Sequence, residues 1–356
     1  MIEKDIIYLR CISCSGKLKL ESYQSDKKEG CIEGRLSCQK CNKAWPIING
    51  IPRMLPENLM KELVVPRYPE FFRKRKFGNY SSTELPKCRK EKLKVRTAQS
   101  FGFEWLKYPK ILEQFESDWD RYFHPFIKKQ DIRGKAVADF GCGMAKHGYF
   151  SGKYKAKKYI GLDLSEAVEA AYQNTKYFRP LIVQADIYNP PLNGKEIDIF
   201  YSIGVLHHLP DPKGGFLSIA GLMKKGSKVL IWVYGKRKNA KAIYIYNPAR
   251  KITTRLPRRM LYPLCHIPAM GTHALNYAHK ALRKAGLGQV AQKIPFSYYA
   301  DYPYRFKVSD CFDLFGTPKQ SYHEMSEIEA WFSEAKLKNP KLEYDIAQGI
   351  KGFGVG

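Results

Sequence analysis

"VADFGCGMAKHG", residues 137–148, decides how the rest of the chain is read. A short apolar run ends in two glycines one residue apart, Gly141 and Gly143. That is the sequence form of a buried strand turning into a helix beside a ligand. A dinucleotide loop needs a third glycine at position 146, so that strand and helix can close up and pyrophosphate can sit on the helix N-terminus. Lys146 stands there instead, which argues against NAD or FAD. An acid, Asp139, lies two residues ahead of Gly141, giving D-x-G-x-G rather than a bare pair of glycines.

This arrangement suits S-adenosylmethionine. That molecule has no phosphate, but it has a carboxylate for amide N–H groups and an ammonium for a carboxylate such as Asp139. Gly141 and Gly143 let the backbone approach without Cβ atoms in the way. The flanks agree. "KYIGLDLSEAVEAA" reads as a second strand ending in Asp163, placed for ribose hydroxyls. "LIVQADIYNPPL" reads as a third, ending in Asp186 for an adenine amino group, with Ile187 offering an N–H and an apolar contact. "IDIFYSIGVLHHLPDP" and "SKVLIWVYG" supply a fourth and a fifth, and Ser202 and Gly204 are expected to shape the methionine pocket. Strands alternating with helices at this spacing predict a doubly wound, mostly parallel sheet with its ligand at the C-terminal strand ends.

With these motifs in order, residues 100–356 resemble class I S-adenosylmethionine-dependent methyltransferases, and "GVLHHLPDP" at 204–212 resembles a large branch of them. The resemblance implies an α/β fold with a seven-stranded Rossmann-like sheet, S-adenosylmethionine as co-substrate, and an acceptor approaching near His207 and His208. One of these histidines is the candidate base, and the alternative for His208 is a helix cap or a bond to Asp211. Ala145 departs from the family, which usually has a glycine there. Near the end, "SEIEAWFSEAKL" predicts a helix capped by Ser326 and Glu329, followed by "LEYDIA" and "GIKGFGVG" as a terminal pair of strands.

The front of the chain carries Cys11 and Cys14, then Cys38 and Cys41, two C-x-x-C turns some two dozen residues apart. Each turn offers two thiolates on one side of a knuckle, which predicts a structural Zn2+ site in a ribbon. Cys31, between the pairs, reads as buried filler. Residues 8–56, with "AWPIINGIPRML" after the last cysteine, resemble the small zinc-ribbon activators that partner tRNA, rRNA and protein methyltransferases. Ile47, Ile48, Ile51 and Leu55 form an apolar face too large for so small a domain, and it should dock on the domain that follows. The expected organisation is a ribbon over 1–58, a basic linker over 59–99 with no persistent helical period, and a methyltransferase domain over 100–356. "AQSFGFEWLKYP", at 98–109, is expected to close over the cofactor.

A formal charge of +27 favours anionic partners. Residues 236–300 hold thirteen Lys or Arg and no Asp or Glu, within an insertion over 236–320 read as an acceptor-side lid. Three partners suit it: an anionic small molecule or sugar- or lipid-linked metabolite, RNA, or a membrane surface met peripherally. The small molecule leads, because the chain lacks the Asn/Asp-Pro-Pro-aromatic motif of base-amino methylation. A methyltransferase of tRNA or other RNA is the alternative, and a non-catalytic adaptor of the same fold is the next. No apolar run approaches the ~20 residues that span a bilayer, and the start lacks the pattern of a signal peptide, so the expected location is cytoplasmic.

Overall fold

The computed structural model describes residues 1–77, 88–237, 239–240, 242–345 and 349–356. Among them the strands are β1 (Leu18–Asp26), β2 (Gly30–Cys38), β3 (Ala44–Ile48), β4 (Ile51–Met54), β5 (Ala136–Phe140), β6 (Lys158–Asp163), β7 (Leu181–Ala185), β8 (Ile199–Ile203), β9 (Lys228–Tyr234), β10 (Lys338–Tyr344) and β11 (Gly349–Val355). They form one sheet in the order β1-β2-β3-β4-β7-β6-β5-β8-β9-β11-β10. β5 and β7 are buried throughout because helices cover both faces, which is why they read as unbroken apolar runs. The run β7-β6-β5-β8-β9 is parallel, and β11 and β10 close it antiparallel. This is the expected Rossmann-like methyltransferase fold.

The expectation of seven strands is corrected to eleven. The ribbon does not dock by its apolar face alone: β4 pairs in parallel with β7, Arg53 opposite Gln184 and Met54 opposite Ala185. An unpaired β7 would leave a row of open N–H and C=O groups at the sheet edge, and β4 supplies their partners. Ile47, Ile48, Ile51 and Leu55 are all buried, as is Cys31. Beside the join, the buried Arg53 donates to Gln184 Oε1 at 3.0 Å and to the Ile48 carbonyl at 3.3 Å. It also forms an ion pair with Glu169, which accepts from the Tyr68 hydroxyl as well.

The segment read as a linker holds helices Glu57–Leu63 and Pro69–Lys74, and a long helix, Arg89–Lys107, begins within it. Residues 78–87 lie outside the described ones. The long helix escaped the sequence reading because its buried residues, Val95, Ala98, Ser100, Gly102 and Glu104, are mostly small or polar and give little apolar signal. The capping box near the end is Glu324 and Glu327, two residues earlier than expected, and the Glu324 N–H donates to Glu327 Oε2 at 2.7 Å. Of the quoted terminal strands, Ile346 and Ala347 fall outside the described residues.

The chain divides into two compact units. Met1–Asn239 with Lys319–Gly356 contains the sheet. Ala240–Pro318 is helical, with Asn247–Thr253, Arg258–Leu264, His266–Lys284 and Tyr304–Gly316 as its main helices. Lys238 and Lys241 of the insertion lie outside the described residues.

Arg53→Met removes one side of a buried charge pair and strands Glu169. Unfolding followed in denaturant should show the sheet unit destabilised by about 3 kcal/mol. A loss within about 0.5 kcal/mol, the size of an ordinary surface change, would mean that this network does not hold the ribbon in place.

Candidate functional site

The loop after β5 is built on positive φ angles. Gly141 has φ +79° and Gly143 +52°, and Ala145 adopts φ 60° and ψ 42° as the residue before helix Lys146–Lys153. A Cβ on Gly141 would come within 2.4 Å of Val205, and one on Gly143 within 3.0 Å of the Trp105 indole nitrogen. Both glycines are therefore required twice, by conformation and by space. Ala145 takes the left-handed conformation without a glycine's freedom, at a cost of about 1–2 kcal/mol. The amides of Gly141 and Cys142 both donate to the Leu162 carbonyl at 2.8 Å, which ties the turn to the end of β6.

The acids land in three different settings. Asp163 is half-buried, and its Oδ2 accepts from the Gly143 N–H at 2.8 Å. Its Oδ1 accepts from the N–H and the hydroxyl of Ser165, at 2.7 and 2.6 Å. Burial pushes its pKa above the ordinary carboxylate value, against these hydrogen bonds. Asp186 is buried and pairs with Lys94 Nζ at 2.5 Å, while its Oδ1 accepts from the Tyr188 N–H at 3.1 Å. Asp139 does not open toward the loop. Strand alternation turns it toward helix Lys146–Lys153, where it is 3% exposed and accepts from the Tyr159 hydroxyl at 2.9 Å. Burial raises its pKa to about 7, although Tyr159 and Tyr201 pull the other way.

Ser202 is also turned inward, its hydroxyl donating to the Phe140 carbonyl at 2.9 Å, which ties β8 to β5. Ile187 is half-buried, and its carbonyl accepts from the Ser218 hydroxyl at 2.5 Å. Gly204, at φ +78°, has nothing within 4 Å of where a Cβ would stand.

Helix Arg89–Lys107 crosses these strand ends. Lys94, Phe101 and Trp105 recur at helical spacing and reach three of them in turn: Lys94 to Asp186, Phe101 to the ring of His208 at 5.0 Å, and Trp105 to Gly143. Gly102 sits so close to Glu166 that a Cβ would come within 2.6 Å of it. Lys94 also lies over the Tyr188 ring at 5.2 Å. The segment 98–109 was expected to cover the ligand, but Lys94 was not singled out. Its signal was only one more cation in a basic run.

His207 is wholly buried and stacked on Tyr234 at 3.8 Å, and its carbonyl accepts from the N–H and hydroxyl of Ser321, each at 2.9 Å. His208 Nδ1 lies 2.9 Å from the Lys319 carbonyl. A carbonyl only accepts, so Nδ1 carries the hydrogen and Nε2 is the nitrogen able to take a proton. The anticipated partner of His208 was Asp211. Asp211 instead accepts from the Gly214 N–H at 3.0 Å and caps helix Pro212–Ala220.

At the other end of the sheet unit, the ligand atoms of Cys11, Cys14, Cys38 and Cys41 all lie within 4.8 Å of one another. Cys11 Sγ is 3.6 Å from Cys41 Sγ, and Cys14 Sγ is 3.4 Å from Cys38 Sγ. Sulfurs bonded at about 2.3 Å to one tetrahedral ion stand about 3.8 Å apart, so the four fit a metal ion closely. Amides of Ser13, Lys40 and Cys41 point at the sulfurs from 3.3 to 3.4 Å. A Cβ on Gly16 would lie 2.9 Å from Cys38 Sγ, so the cluster leaves room there for a glycine alone.

The methyltransferase-domain family matches residues 138–231, the stretch from the middle of β5 into β9 that contains the glycine turn and all three acids. Residues 138–231 form a methyltransferase domain. Similar proteins include the tRNA U34 carboxymethyltransferase of Campylobacter hominis, 29% identical over 147 residues that cover 39% of this chain and 52% of that protein. The same enzyme of Pseudoalteromonas translucida is 26% identical over 141 residues, covering 36% and 42%. The chain thus spans about half the length of the curated relatives it matches. Among solved structures, a chain from the complex containing the Haloferax volcanii Trm112 methyltransferase activator is 14% identical, with a TM-score of 0.41, covering 72% of this chain and 97% of that one. Magnesium protoporphyrin IX methyltransferase from Synechocystis with bound SAH is 13% identical, with a TM-score of 0.39, covering 82% and 98%.

Within the methyltransferase domain, Asp139 sets a pH dependence. Its folded pKa, about 7, lies above the unfolded value near 3.9. Between those values the folded chain holds a proton that the unfolded chain has released, so stability falls as pH rises from about 4 to about 7. Asp163 shifts in the same direction. Asp139→Asn should flatten that fall in urea midpoints measured from pH 5 to pH 8. An unchanged slope would mean that Asp139 is ionised throughout.

Proposed function

We propose that this chain is an S-adenosylmethionine-dependent methyltransferase acting on tRNA, with a structural zinc ion in its ribbon. The observation that carries the acceptor is the name shared by its curated relatives, tRNA U34 carboxymethyltransferase. That name supports RNA over the anionic small molecule which the sequence alone favoured. The charge of +27 and the acid-free stretch 236–300 support it, because tRNA is recognised largely through its phosphates.

S-adenosylmethionine supplies a methyl group on a sulfonium that leaves without needing a proton, so positioning provides much of the rate. In this reading the turn Gly141–Ala145 presents backbone to the methionine end, and Asp163 takes the ribose hydroxyls. Asp186 and the Ile187 N–H read the adenine edge, and helix Arg89–Lys107 excludes water from above. His208 Nε2 accepts a proton when the methylated atom carries one, and His207, sealed against Tyr234, positions its neighbour. Asp139 holds the floor of the site through Tyr159. Cys11, Cys14, Cys38 and Cys41 would bind zinc as four thiolates, and the metal would contribute stability that so small a ribbon lacks.

Transfer of tritiated methyl from S-adenosylmethionine should label the tRNA fraction of a cell extract, and tRNA binding should weaken steeply with added salt. Asp163→Ala should weaken S-adenosylmethionine binding at least tenfold, about 1.4 kcal/mol. Label confined to the small-molecule pool would end the tRNA reading, and calorimetry showing no binding by the intact chain would leave an adaptor in place of an enzyme.

Metal analysis should find one zinc per chain. Stripping it with a chelator should lower the unfolding midpoint of the whole sheet unit, since β4 belongs to the same sheet. A chain that is metal-free as purified, with the stability of the zinc-loaded form, would remove the metal from this account.

A further inference from the structure

Helices Arg258–Leu264 and His266–Lys284 of the helical unit run on with a single residue, Cys265, between them, and that residue is itself in helical conformation. Their buried side is Leu261, Cys265, Ala269, Asn276 and His279. At i, i+4, i+7 and i+10, Met260, Leu264, Ile267 and Met270 form a second apolar stripe on the other side, each 50–63% exposed. Ile252, on helix Asn247–Thr253, is exposed as well. An amphipathic helix needs one apolar face to fold, and this one has two. Exposed cations, Lys251, Arg255 and Arg259, stand in the same stretch of chain, within the acid-free run 236–300.

We propose that the stripe Met260, Leu264, Ile267 and Met270, with Lys251, Arg255 and Arg259, docks on an anionic phospholipid bilayer, lying in its plane. Aliphatic side chains suit the acyl boundary, and unopposed cations suit acidic headgroups. Among the described residues no helix is long and apolar enough to cross a membrane, which fits in-plane contact. RNA is a poorer occupant, because it binds through cations and stacks on aromatic rings, and Met260, Leu264, Ile267 and Met270 offer none ahead of the exposed Tyr277 that continues their face. A second copy is poorer too, because it would set Lys251, Arg255 and Arg259 against themselves without an acid in the run to offset them. The proposal shares its cations with the tRNA reading, which uses their charge and not the stripe.

The test uses the full chain and sedimentation with vesicles of phosphatidylcholine alone or with phosphatidylglycerol at about one third, an acidic content that gives the strong surface potential required. The chain should bind the acidic vesicles at least tenfold more tightly than the neutral ones. Ile267→Gln with Met270→Gln, which leaves the charge unchanged, should abolish that binding at an unchanged melting temperature and with tRNA retention intact. Should that pair fold poorly, Lys251→Glu with Arg255→Glu should lower vesicle binding at least tenfold. Absence of binding to acidic vesicles overturns the proposal, as does binding that survives both pairs. Self-association that disappears in the Ile267 and Met270 variant, without vesicle binding, overturns it in favour of a second copy.

Discussion

The turn from β5 into helix Lys146–Lys153 keeps its shape because one carboxylate, Asp163, ties it to the loop after β6. Its Oδ2 takes the Gly143 N–H and its Oδ1 takes the two donors of Ser165. The turn passes through positive φ at Gly141, Gly143 and Ala145, conformations that a free chain leaves readily. An anchor from the neighbouring strand offsets that tendency, as do the two amide bonds to Leu162. Asp163 is thus a structural member of the loop as well as the candidate ribose ligand. A change at this residue acts on the shape of the site and on its chemistry together.

The second constraint acts at the sheet edge. A parallel sheet with helices on both faces still has open backbone groups at its ends, and β7 is one such end. The ribbon resolves this by contributing β4, and Arg53 secures the join with a charge, an amide and a carbonyl as partners. Glu169, on helix Val168–Thr175 after β6, is one of those partners, and Glu166, just before that helix, pairs with Arg67. The same helix leads back to Ser165 and hence to Asp163. The cysteine cluster is therefore connected to the glycine turn through one strand pairing and one short helix, so the ribbon has a mechanical route to the site without touching a ligand.

What could be read in the sequence was what local chemistry encodes. Glycines at 141 and 143, acids at strand ends, and paired cysteines announce themselves by type and spacing, and the structure sets Asp163 and Asp186 at the ends of their strands as expected. What could not be read depends on partners far apart in the chain. Lys94 and Asp186 are 92 residues apart, and Arg53 and Gln184 are 131 apart. β4 reads as one arm of a hairpin, and nothing in Ile51–Met54 says that its outer edge will meet β7. Helix Arg89–Lys107 hides its period because its inner face is built from small and polar residues. The inward turn of Asp139 and Ser202 could not be read either. Each sits on the correct strand, but the two-residue alternation points both side chains into the protein.

The covering helix also makes the site asymmetric. At the β5 end, Trp105 stands so near Gly143 that even one added carbon would be crowded. At the β7 end, Lys94 closes on Asp186 with a short charged bond. At the β8 end the backbone of Gly204 faces open space, and His208, with Phe101 against its ring, follows a few residues on. A group held under the helix is therefore screened on two sides and approachable on the third. The Lys319 carbonyl commits His208 Nδ1 as a donor, which leaves the ring's lone pair on Nε2. In the proposed reaction, proton transfer to Nε2 and the approach of the acceptor share that side of the sheet.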